Sequence, residues 1–408
     1  MKTYAFAGAS SRAISMFAIP IARQFRDTAR IAGVFDINPH RARLLSERTT
    51  HPPVFDDFDA MLRETKPNCV IVTTVDRYHH EYIIRALEAG CDAITEKPMT
   101  IDDEKCRAIL EAERRSGRKV TVTFNYRFMP YVTLAKEVIR SGALGRVLNV
   151  DFEWMLDRRH GADYFRRWHR RMENSGGLLV HKSTHHFDLV NWWLDDEPER
   201  VFGFGSRQFY GPTRAERGER CSTCHHAQTC EFFVNYAGDP TMKALYFDAE
   251  QYDGYFRDRC VFSEAIDIYD TMSVSVRYAG GAQLAYSLIA YAPYEGWRAS
   301  ITGTVGRMEL EEIESGPLAG QARQIRLFDA RGNLTVREVA AAEGGHGGGD
   351  PLLLERLFGN KPMPDPLGHM AGSRDGAMSV LIGVGANRSI ASGQSVAIAD
   401  LLAGSGLR

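Results

Sequence analysis

The chain has 408 residues, of which 44% are hydrophobic and 25% are charged. That composition is typical of globular proteins, and the length suits two domains better than a single core. Its 50 basic and 52 acidic side chains leave a formal net charge of −2, so the sequence predicts neither a nucleic-acid partner nor an anionic membrane partner.

Targeting and membrane-spanning signals are the next features to consider. The first residues, MKTYAFAGAS, reach a Gly/Ser turn too soon to contain the apolar region of a signal peptide. No run approaches the roughly 18 consecutive apolar residues that a membrane span needs. We therefore expect a cytoplasmic protein.

Residues 3 to about 124 alternate apolar strand patterns with amphipathic helix patterns. The strand-like runs are TYAFAGA, RIAGVFD, CVIVTT, DAIT and KVTVTFN. Near-continuous apolar strands separated by helices are typical of a parallel sheet that helices cover on both faces. We predict an α/β Rossmann domain over residues 1–124, with ligands at the carboxyl ends of its strands.

The rest of the chain, residues 125–408, has a different pattern. The run SVSVRYAGGAQLAYSLIAY contains two alternating segments around Gly280 and Gly281, which is a strong antiparallel hairpin signal. We predict an α+β domain with a large, mostly antiparallel open sheet that binds substrate and supports oligomerisation. Because an exposed sheet needs cover, we expect a homodimer or homotetramer. Helices are expected near 131–141, 185–194 and 370–390, and a glycine-rich loop is expected at 343–350.

A dinucleotide-binding turn is expected after the first strand. The sequence GASSRA, residues 8–13, stands where such a turn usually reads GxGxxG, and only Gly8 matches. Ser10 and Ala13 are small enough to keep the turn, although an ordinary strand-to-helix turn explains the pattern equally well. Asp36, at the end of the second strand, is placed to bind a ribose 2′-hydroxyl and to repel a 2′-phosphate. NAD is therefore favoured over NADP.

An adjacent acid and base, Glu96 and Lys97, end the strand-like run DAIT and precede Pro98. An ion pair at a strand tip is the ordinary interpretation. Ligands bind at such tips in parallel sheets, and a lysine partly buried beside a cationic nicotinamide has a lowered pKa. Lys97 is therefore a candidate catalytic residue, with Glu96 holding its amine.

Three longer motifs resemble the glucose-fructose oxidoreductase and inositol dehydrogenase family (Gfo/Idh/MocA). They are TTVDRYHHEYIIRALEAGCDAITEKP, FNYRFMPY and SGGLLVHKSTHHFDLVNWWL. They are similar to the family's third strand with its Glu-Lys-Pro strand end, its domain crossing, and its Gly-Gly segment with the catalytic helix. The resemblance implies NAD(P) bound across the strand ends and redox chemistry at a carbinol of a sugar, cyclitol or related polyol.

The resemblance also implies roles for single residues. Lys97 would contact the nicotinamide ribose and the substrate, His79 would lie on the nucleotide side, and His185 would face the reacting hydroxyl. His181 stands where the family usually has an aspartate, so the usual relay acid is absent. Positions 181 and 185 share a helix face if the helix begins early enough, which would make His181 a second relay member. Buried core histidines are the alternative.

The run DRRHGADYFRRWHRR, residues 157–171, is rich in arginine and contains aromatic residues. A solvated loop is the ordinary interpretation, but aromatic rings stack on sugars and arginines grip carboxylates or sulfonates. An anionic sugar is therefore one candidate substrate. The expected substrate-binding residues are Tyr126, Arg127, Tyr164, Arg167, Trp168, Lys182 and His186, with His346 a weaker candidate. The expected cofactor-binding residues are Gly8, Ser10, Ser11, Arg12, Asp36, Thr74, His79, Glu96, Lys97 and Asn125.

The segment CSTCHHAQTC, residues 221–230, and a later cysteine form a candidate zinc site. Four thiolates complete a tetrahedral zinc shell, and zinc would stabilise a Cys-rich insertion at about 210–262 that has little apolar core. Free thiols are the alternative, and an iron–sulfur cluster fits the spacing less well. The candidate ligands are Cys221, Cys224, Cys230 and Cys260, with His225 or His226 as a substitute.

These observations predict an NAD-dependent oxidoreductase that transfers a hydride between a sugar or glycoside carbinol and nicotinamide. One alternative is a redox-neutral glycosidase that keeps its NAD: it oxidises a ring hydroxyl, eliminates the leaving group, adds water and reduces the ketone again. A non-catalytic NAD-sensing protein on the same fold is a further alternative, which the presence of Lys97 and His185 disfavours.

Overall fold

The computed structural model describes residues 1–340, 342–361 and 363–403. Within these ranges, sixteen strands form two sheets. The strands are β1 Lys2–Ala7, β2 Ala29–Phe35, β3 Val54–Phe55, β4 Cys69–Val72, β5 Asp92–Thr95, β6 Val120–Val122, β7 Val147–Asp157, β8 Pro198–Ser206, β9 Thr271–Tyr278, β10 Gln283–Ala292, β11 Gly296–Gly303, β12 Gly306–Ile313, β13 Arg323–Asp329, β14 Leu334–Val339, β15 Ala371–Gly372 and β16 Val396–Ala397.

Fifteen α-helices lie in the same described ranges, and none of them combines the length and apolar character needed to cross a membrane. They are α1 Ile19–Arg23, α2 Pro39–Glu47, α3 Phe58–Thr65, α4 His79–Glu88, α5 Asp103–Ser116, α6 Pro130–Arg140, α7 Arg158–Arg166, α8 Met172–Ser175, α9 Leu178–His181, α10 Thr184–Leu194, α11 Pro240–Met242, α12 Glu250–Asp253, α13 Gly349–Phe358, α14 Ser373–Ser392 and α15 Ile398–Leu402.

The first sheet has the strand order β15-β6-β5-β4-β1-β2-β3. Strands β1 to β6 pair in parallel, and β15 joins antiparallel to the edge of β6. All four residues of β4 are buried, as expected for a strand between two helical layers. This is the predicted Rossmann sheet, and it places the carboxyl ends of β4 and β5 side by side.

The second sheet has the order β14-β13-β12-β11-β7-β10-β9-β8-β16 and is antiparallel except for the pair β7 and β10. Burial alternates along β7, where Phe152 and Trp154 are buried while Asp151 is exposed. Helix α10 covers the apolar face, with the Trp193 ring 6.4 Å from that of Phe152. The predicted fold class, a Rossmann domain plus a large and mostly antiparallel sheet, is confirmed.

The helices expected near 131–141, 185–194 and 370–390 are present as α6, α10 and α14. The condition for a face shared by positions 181 and 185 is not met, because His181 ends α9 and α10 begins only at Thr184. The Ser183 amide donates to the Leu178 carbonyl at 2.9 Å, which widens the turn between the two helices. His181 and His185 therefore do not share one helix face.

The segment between β8 and β9 is largely irregular and contains α11, α12 and a π-helical turn, Lys243–Phe247. Leu245 and Tyr246 of this turn join the apolar cluster around α1 in the first domain. The insertion expected at about 210–262 thus reaches across to the nucleotide domain.

Candidate active site

Lys97 lies at the carboxyl end of β5, facing the second domain. Its Nζ donates to the backbone carbonyl of His181 at 3.1 Å. Burial lowers the pKa of Lys97 to about 8. An amine in this state can accept a proton close to neutral pH.

Glu96 forms no hydrogen bond with the Lys97 amine in the described part of the chain, although its charge opposes the lowering of the Lys97 pKa. Its carboxylate accepts from the Arg12 Nε at 2.7 Å. Arg12 also lies 3.7 Å from Asp350, the last residue of the glycine-rich loop. The expectation that Glu96 holds the Lys97 amine is therefore wrong, since the His181 carbonyl does so.

An acid that the sequence analysis did not consider, Asp76, follows β4 in a 3₁₀ turn and contacts His181. The His181 Nδ1 lies 2.5 Å from the Asp76 carboxylate. Burial raises the pKa of Asp76 and lowers that of His181. Sequence reasoning missed Asp76, although the strand-end rule that identified Lys97 applies equally to β4.

Aromatic rings surround His181 on its other side. The His169 ring lies 4.2 Å from that of His181 in an edge-to-face arrangement, and Trp168 stacks on His169 at 3.5 Å. The Tyr164 ring lies 5.5 Å from His181. Two residues expected to bind substrate, Tyr164 and Trp168, therefore lie close to His181, and His169 was not foreseen.

His185 stacks on Tyr126 with ring centroids 4.3 Å apart. Burial lowers the pKa of His185, so its ring is neutral. No residue in the described part of the chain hydrogen-bonds to its Nδ1. The His346 ring lies 6.3 Å away, which brings the glycine-rich loop to this end of the site.

Lys182 extends over the Trp154 ring, with its Nζ 4.4 Å from the ring centroid. Burial lowers the pKa of Lys182, and the charges of Glu295 and Glu314 oppose that shift. Glu295 also pairs with the His160 Nδ1 at 2.8 Å. This part of the site therefore contains both charges rather than an excess of cations.

Two residues expected to bind substrate, Arg127 and His186, are buried in the core instead. Arg127 is 2% exposed and donates to both carboxylate oxygens of Asp188, at 2.6 and 2.8 Å. His186 is fully buried, stacks on Trp154 at 4.1 Å and bonds to the Tyr286 hydroxyl. Tyr126 and His185, their neighbours in the sequence, line the site. The side chains of Arg127 and His186 point into the core instead.

The arginines of the run 157–171 are largely neutralised. Arg167 donates to Asp163 at 2.9 Å, and Arg166 donates to the Phe232 carbonyl of the insertion. Burial opposes ionisation of Asp163, but the charges of Arg167 and its neighbours lower the Asp163 pKa. Arg166 therefore anchors the insertion and Arg167 is paired within its own run, which weakens the case for an anionic substrate.

The turn after β1 has the backbone geometry of a nucleotide-binding turn. Gly8 has φ +98°, and a Cβ there would lie 2.8 Å from the Thr73 carbonyl carbon, so only glycine fits. The Ser10 hydroxyl accepts from the Ala13 amide at 3.2 Å. Ser10 and Ala13, which stand where glycines are usual, thus fit in the turn because their side chains are small.

Asp36 lies beside this turn, as expected for a ribose-binding acid. Its carboxylate accepts from the backbone amides of Ala9 at 2.6 Å and Asn38 at 2.7 Å. Arg41 lies 3.4 Å from it but is bound more closely by Asp253 of the insertion, at 2.5 Å. Arg41 therefore does not neutralise the acidic side chain of Asp36 next to the turn.

His79, Thr74 and Asn125 lie around the same strand ends. The two His79 ring nitrogens contact the carbonyls of Pro98, at 2.9 Å, and Thr74, at 3.1 Å, so this ring braces the strand tips. Asn125 donates to Asp350 at 2.6 Å, while its buried Oδ1 has no partner among the described residues. A bound polar ligand would satisfy that oxygen, and the donor set fits a dinucleotide.

The four candidate zinc ligands, Cys221, Cys224, Cys230 and Cys260, line one small cavity of about 20 Å³. Within the described ranges, however, no three His, Cys, Asp or Glu side chains are placed to hold a metal ion together. The arrangement therefore does not support the zinc expectation.

The sequence signatures of known families agree with this geometry. The signature of the oxidoreductase family with an NAD-binding Rossmann fold (Gfo/Idh/MocA) matches residues 2–124. The signature of that family's C-terminal alpha/beta domain matches residues 136–398. The chain belongs to the Gfo/Idh/MocA oxidoreductase family.

Individual proteins extend the comparison. The "Putative oxidoreductase YteT" of Bacillus subtilis (strain 168) is 42% identical, over 98% of this chain and 99% of its own. The D-glucoside 3-dehydrogenase of Escherichia coli (strain K12) is 29% identical over 41% of this chain and 48% of its own. The crystal structure of the WlbA dehydrogenase from Bordetella pertussis, in complex with NADH and UDP-GlcNAcA, is similar with a TM-score of 0.66 and 18% identity, over 97% of this chain and 98% of that one.

Proposed function

We propose that the protein is an NAD-dependent oxidoreductase that transfers a hydride between nicotinamide and a carbinol of a sugar or glycoside. The observation that carries the proposal is the convergence of Lys97, His181 and Asp76 at the tips of β5 and β4. In a Rossmann fold these tips are where the cofactor and its substrate meet.

Lys97 and His181 both take part in transferring the proton of the substrate hydroxyl. A bound nicotinamide would supply the hydride acceptor. The Lys97 amine, with its pKa lowered to about 8 by burial, takes the hydroxyl proton. The Asp76 carboxylate keeps a proton on the His181 Nδ1, which leaves Nε2 as the accepting nitrogen. His185, neutral and with one nitrogen unpaired in the described structure, orients the reacting hydroxyl.

A neutral sugar or glycoside fits the site best. Trp168, which is half-buried near His181, offers aromatic surface for a sugar ring, as sugar-binding sites commonly do. Arg167 is paired with Asp163, and Lys182 is balanced by Glu295 and Glu314. The similarity to a D-glucoside 3-dehydrogenase supports the same substrate class.

NAD is the cofactor we propose, in preference to NADP. The Asp36 carboxylate beside the glycine turn would accept from ribose hydroxyls and repel a 2′-phosphate. Arg41 does not reverse this preference, because Asp253 binds its guanidinium.

A redox-neutral glycosidase remains the second candidate. That scheme needs an additional acid–base group beyond the one that serves hydride transfer. The Asp76–His181 pair, with His169 beside it, provides such a group. In this case the oxidised ring would lose its leaving group by elimination, add water and then be reduced by the same cofactor.

A homodimer formed through the open face of the second sheet is also proposed. This face carries acidic and basic side chains in pairs, such as Arg298 with Glu311 at 2.5 Å, and Phe204 is 69% exposed on it. A surface with both charges and an exposed aromatic ring can be complementary to itself about a two-fold axis.

One experiment separates the two activities. Purified protein is incubated with a panel of neutral and anionic glycosides, with and without added NAD, while NADH and released aglycone are followed together. NADH formed in proportion to oxidised sugar establishes the dehydrogenase. Aglycone released without net NADH establishes the glycosidase, and turnover of neither kind contradicts the proposal.

A further inference from the structure

A second set of hydrogen-bonded acid–base groups, called the His160 chain below, consists of Glu295, His160 and Tyr164. The His160 Nδ1 lies 2.8 and 3.0 Å from the two carboxylate oxygens of Glu295. The His160 Nε2 lies 3.0 Å from the Tyr164 hydroxyl. The imidazole therefore connects a carboxylate to a phenol through both of its ring nitrogens.

Helix α7 fixes the positions of His160 and Tyr164. The two residues are one turn apart, so their side chains lie on the same face of the helix. Asp157 caps the helix by accepting from the His160 amide at 2.8 Å. The helix also packs closely on β10, because a Cβ on Gly161 would lie 1.8 Å from the Ala290 carbonyl oxygen. The backbone that carries the two side chains is therefore held at a capped end and at a close contact.

Glu295 is held where β11 begins and β12 ends. Its amide donates to the Ser315 hydroxyl at 2.8 Å, and its carbonyl accepts from the amides of Glu314 at 2.8 Å and Ser315 at 3.1 Å. Glu295 is 5% exposed, and a buried carboxylate needs a hydrogen-bond partner, which His160 provides. The carboxylate keeps a proton on Nδ1 of the neutral ring and balances the charge of the imidazolium that forms when a second proton arrives.

The His160 chain has one buried end and one exposed end. Tyr164 is 6% exposed, and its ring lies 5.5 Å from that of His181. The His160 side chain, at the other end, is 42% exposed. A substrate hydroxyl or a water molecule between Tyr164 and His181 would complete a path for protons from the buried acid–base groups to solvent.

Other ionisable groups also face His160. Burial raises the pKa of Glu314, and a charge on His160 opposes that shift. The pKa of Asp157 is lowered against the effect of burial, in part by the same charge. Burial lowers the pKa of His169, so that ring is neutral. The charged groups around His160 are therefore acids, which suits a ring that becomes an imidazolium for part of each cycle.

The Tyr164 hydroxyl passes a proton without becoming charged. When His160 is neutral with its proton on Nδ1, the hydroxyl donates to Nε2 and its oxygen is free to accept a proton from the site. As that oxygen accepts a proton, the original hydroxyl proton moves to Nε2 and His160 becomes an imidazolium. Burial raises the pKa of Tyr164, so the phenol stays neutral. The imidazolium then gives one proton to water or to a dissolved base and returns to its neutral form.

We propose that the His160 chain carries the proton released by carbinol oxidation from the buried site to solvent. The inference rests on the proposed dehydrogenase function. In that reaction a carbon-bound hydrogen leaves with its electron pair as hydride, and the hydroxyl proton stays behind on Lys97 or His181 until it is removed. In carbonyl reduction the same path supplies the proton. Glu295 is a positioning residue in this scheme, because it acts through the His160 ring.

A single-turnover measurement separates proton release from hydride transfer. Excess protein and NAD are mixed, in weakly buffered solution, with the neutral glycoside that gives the most NADH in the panel experiment. NADH absorbance and a pH-indicator dye are followed together. The test variants are His160→Ala and Tyr164→Phe. The matched controls remove the same groups elsewhere: His80→Ala from a half-buried ring on α4, and Tyr252→Phe from a side chain that is 44% exposed.

In the wild type and both controls, the proton should appear in step with NADH. In both test variants, proton release should be about a hundredfold slower than NADH formation, the lower end of what a positioned proton-transfer group contributes. The proton appearing in step with NADH in both test variants would overturn the inference and leave the proposed function intact. A wild-type protein that forms no NADH from any glycoside would overturn both.

Rescue by imidazole separates proton transfer from a purely structural role. Dissolved imidazole should restore the steady-state kcat of His160→Ala, because it replaces the missing ring at the exposed end. It should not restore that of Tyr164→Phe, in which the buried end is interrupted. A kcat of His160→Ala that falls but does not recover with imidazole would mean that His160 only supports the fold, and would overturn the inference.

Discussion

The His181 Nδ1 lies 2.5 Å from the Asp76 carboxylate, although the two residues are 105 positions apart and belong to different domains. The acid–base pair therefore exists only when the two domains are packed together. It joins an acid from the tip of β4 to a histidine of the second domain whose carbonyl accepts from the Lys97 amine.

The first prediction concerns Asp76. Asp76→Asn removes the carboxylate that fixes the His181 tautomer, so kcat should fall by about a hundredfold or more. Stopped assays of the purified variant measure this, and NADH binding serves as the control because it should be unchanged. A kcat within twofold of the wild type would contradict the assigned role.

The pH dependence of oxidation is the second prediction. Because burial lowers the pKa of Lys97 to about 8, the neutral amine that accepts the proton becomes abundant only as the pH rises through that value. The logarithm of kcat/KM for carbinol oxidation should therefore rise with pH below 8 and level off above it. Carbonyl reduction, which needs the ammonium form, should show the opposite dependence.

Lys97→Arg is the variant that checks the assignment of this pH profile. Arginine keeps the positive charge but cannot lose its proton in this range. Oxidation should be lost while the NADH dissociation constant changes little. Residual activity with an unaltered pH profile would assign the titrating group elsewhere.

Cofactor choice is the third prediction. Asp36→Asn removes the charge expected to repel a 2′-phosphate, so the ratio of NADP to NAD affinity should rise by about tenfold. Titration with both reduced cofactors, followed by fluorescence, gives the ratio. Asp57→Asn makes the same charge change at an exposed position of the first domain and should leave the ratio unaltered.

The fourth prediction separates stability from substrate binding at Arg127. Arg127→Met leaves the buried Asp188 carboxylate without its guanidinium partner, which should lower the free energy of unfolding by about 3–5 kcal/mol. Urea denaturation measures the change. Arg115→Met, which breaks the exposed pair with Glu88, should cost under about 1 kcal/mol. If the Arg127 variant had normal stability but a raised KM, Arg127 would be a substrate ligand after all.

The sequence predicts some features of the structure better than others, depending on the kind of signal that each feature leaves. Alternating strand and helix patterns suffice for both sheets, and the strand-end rule suffices for Lys97. The same rule reaches Asp76 once β4 is considered, because both tips lie at one edge of the sheet. Ser183 and Thr184 are helix-start residues, so the sequence indicates the beginning of α10, whereas the separate short helix that ends at His181 has no such signal.

Other features depend on tertiary contacts that a single sequence does not reveal. Arg127 and His186 lie beside residues that line the site, and only the packing shows that their side chains point into the core. Tyr246 belongs to a segment without clear periodicity, so nothing in the sequence predicts its contact with Ser11. The cysteine spacing is suggestive of zinc, whereas the placement of the thiols depends on how the insertion folds.

The antiparallel strand β15 affects the order in which the first sheet can fold during synthesis. Ala371 pairs with Val122 at the edge of the first sheet, and Arg388 of α14 pairs with Asp103 of α5 at 2.6 Å. During synthesis the amino-terminal part emerges first, yet the edge of β6 stays uncovered until residues near 371 have left the ribosome. The nascent Rossmann sheet must therefore wait for nearly the whole chain before it is complete, and a fragment ending at residue 124 would expose that edge to aggregation.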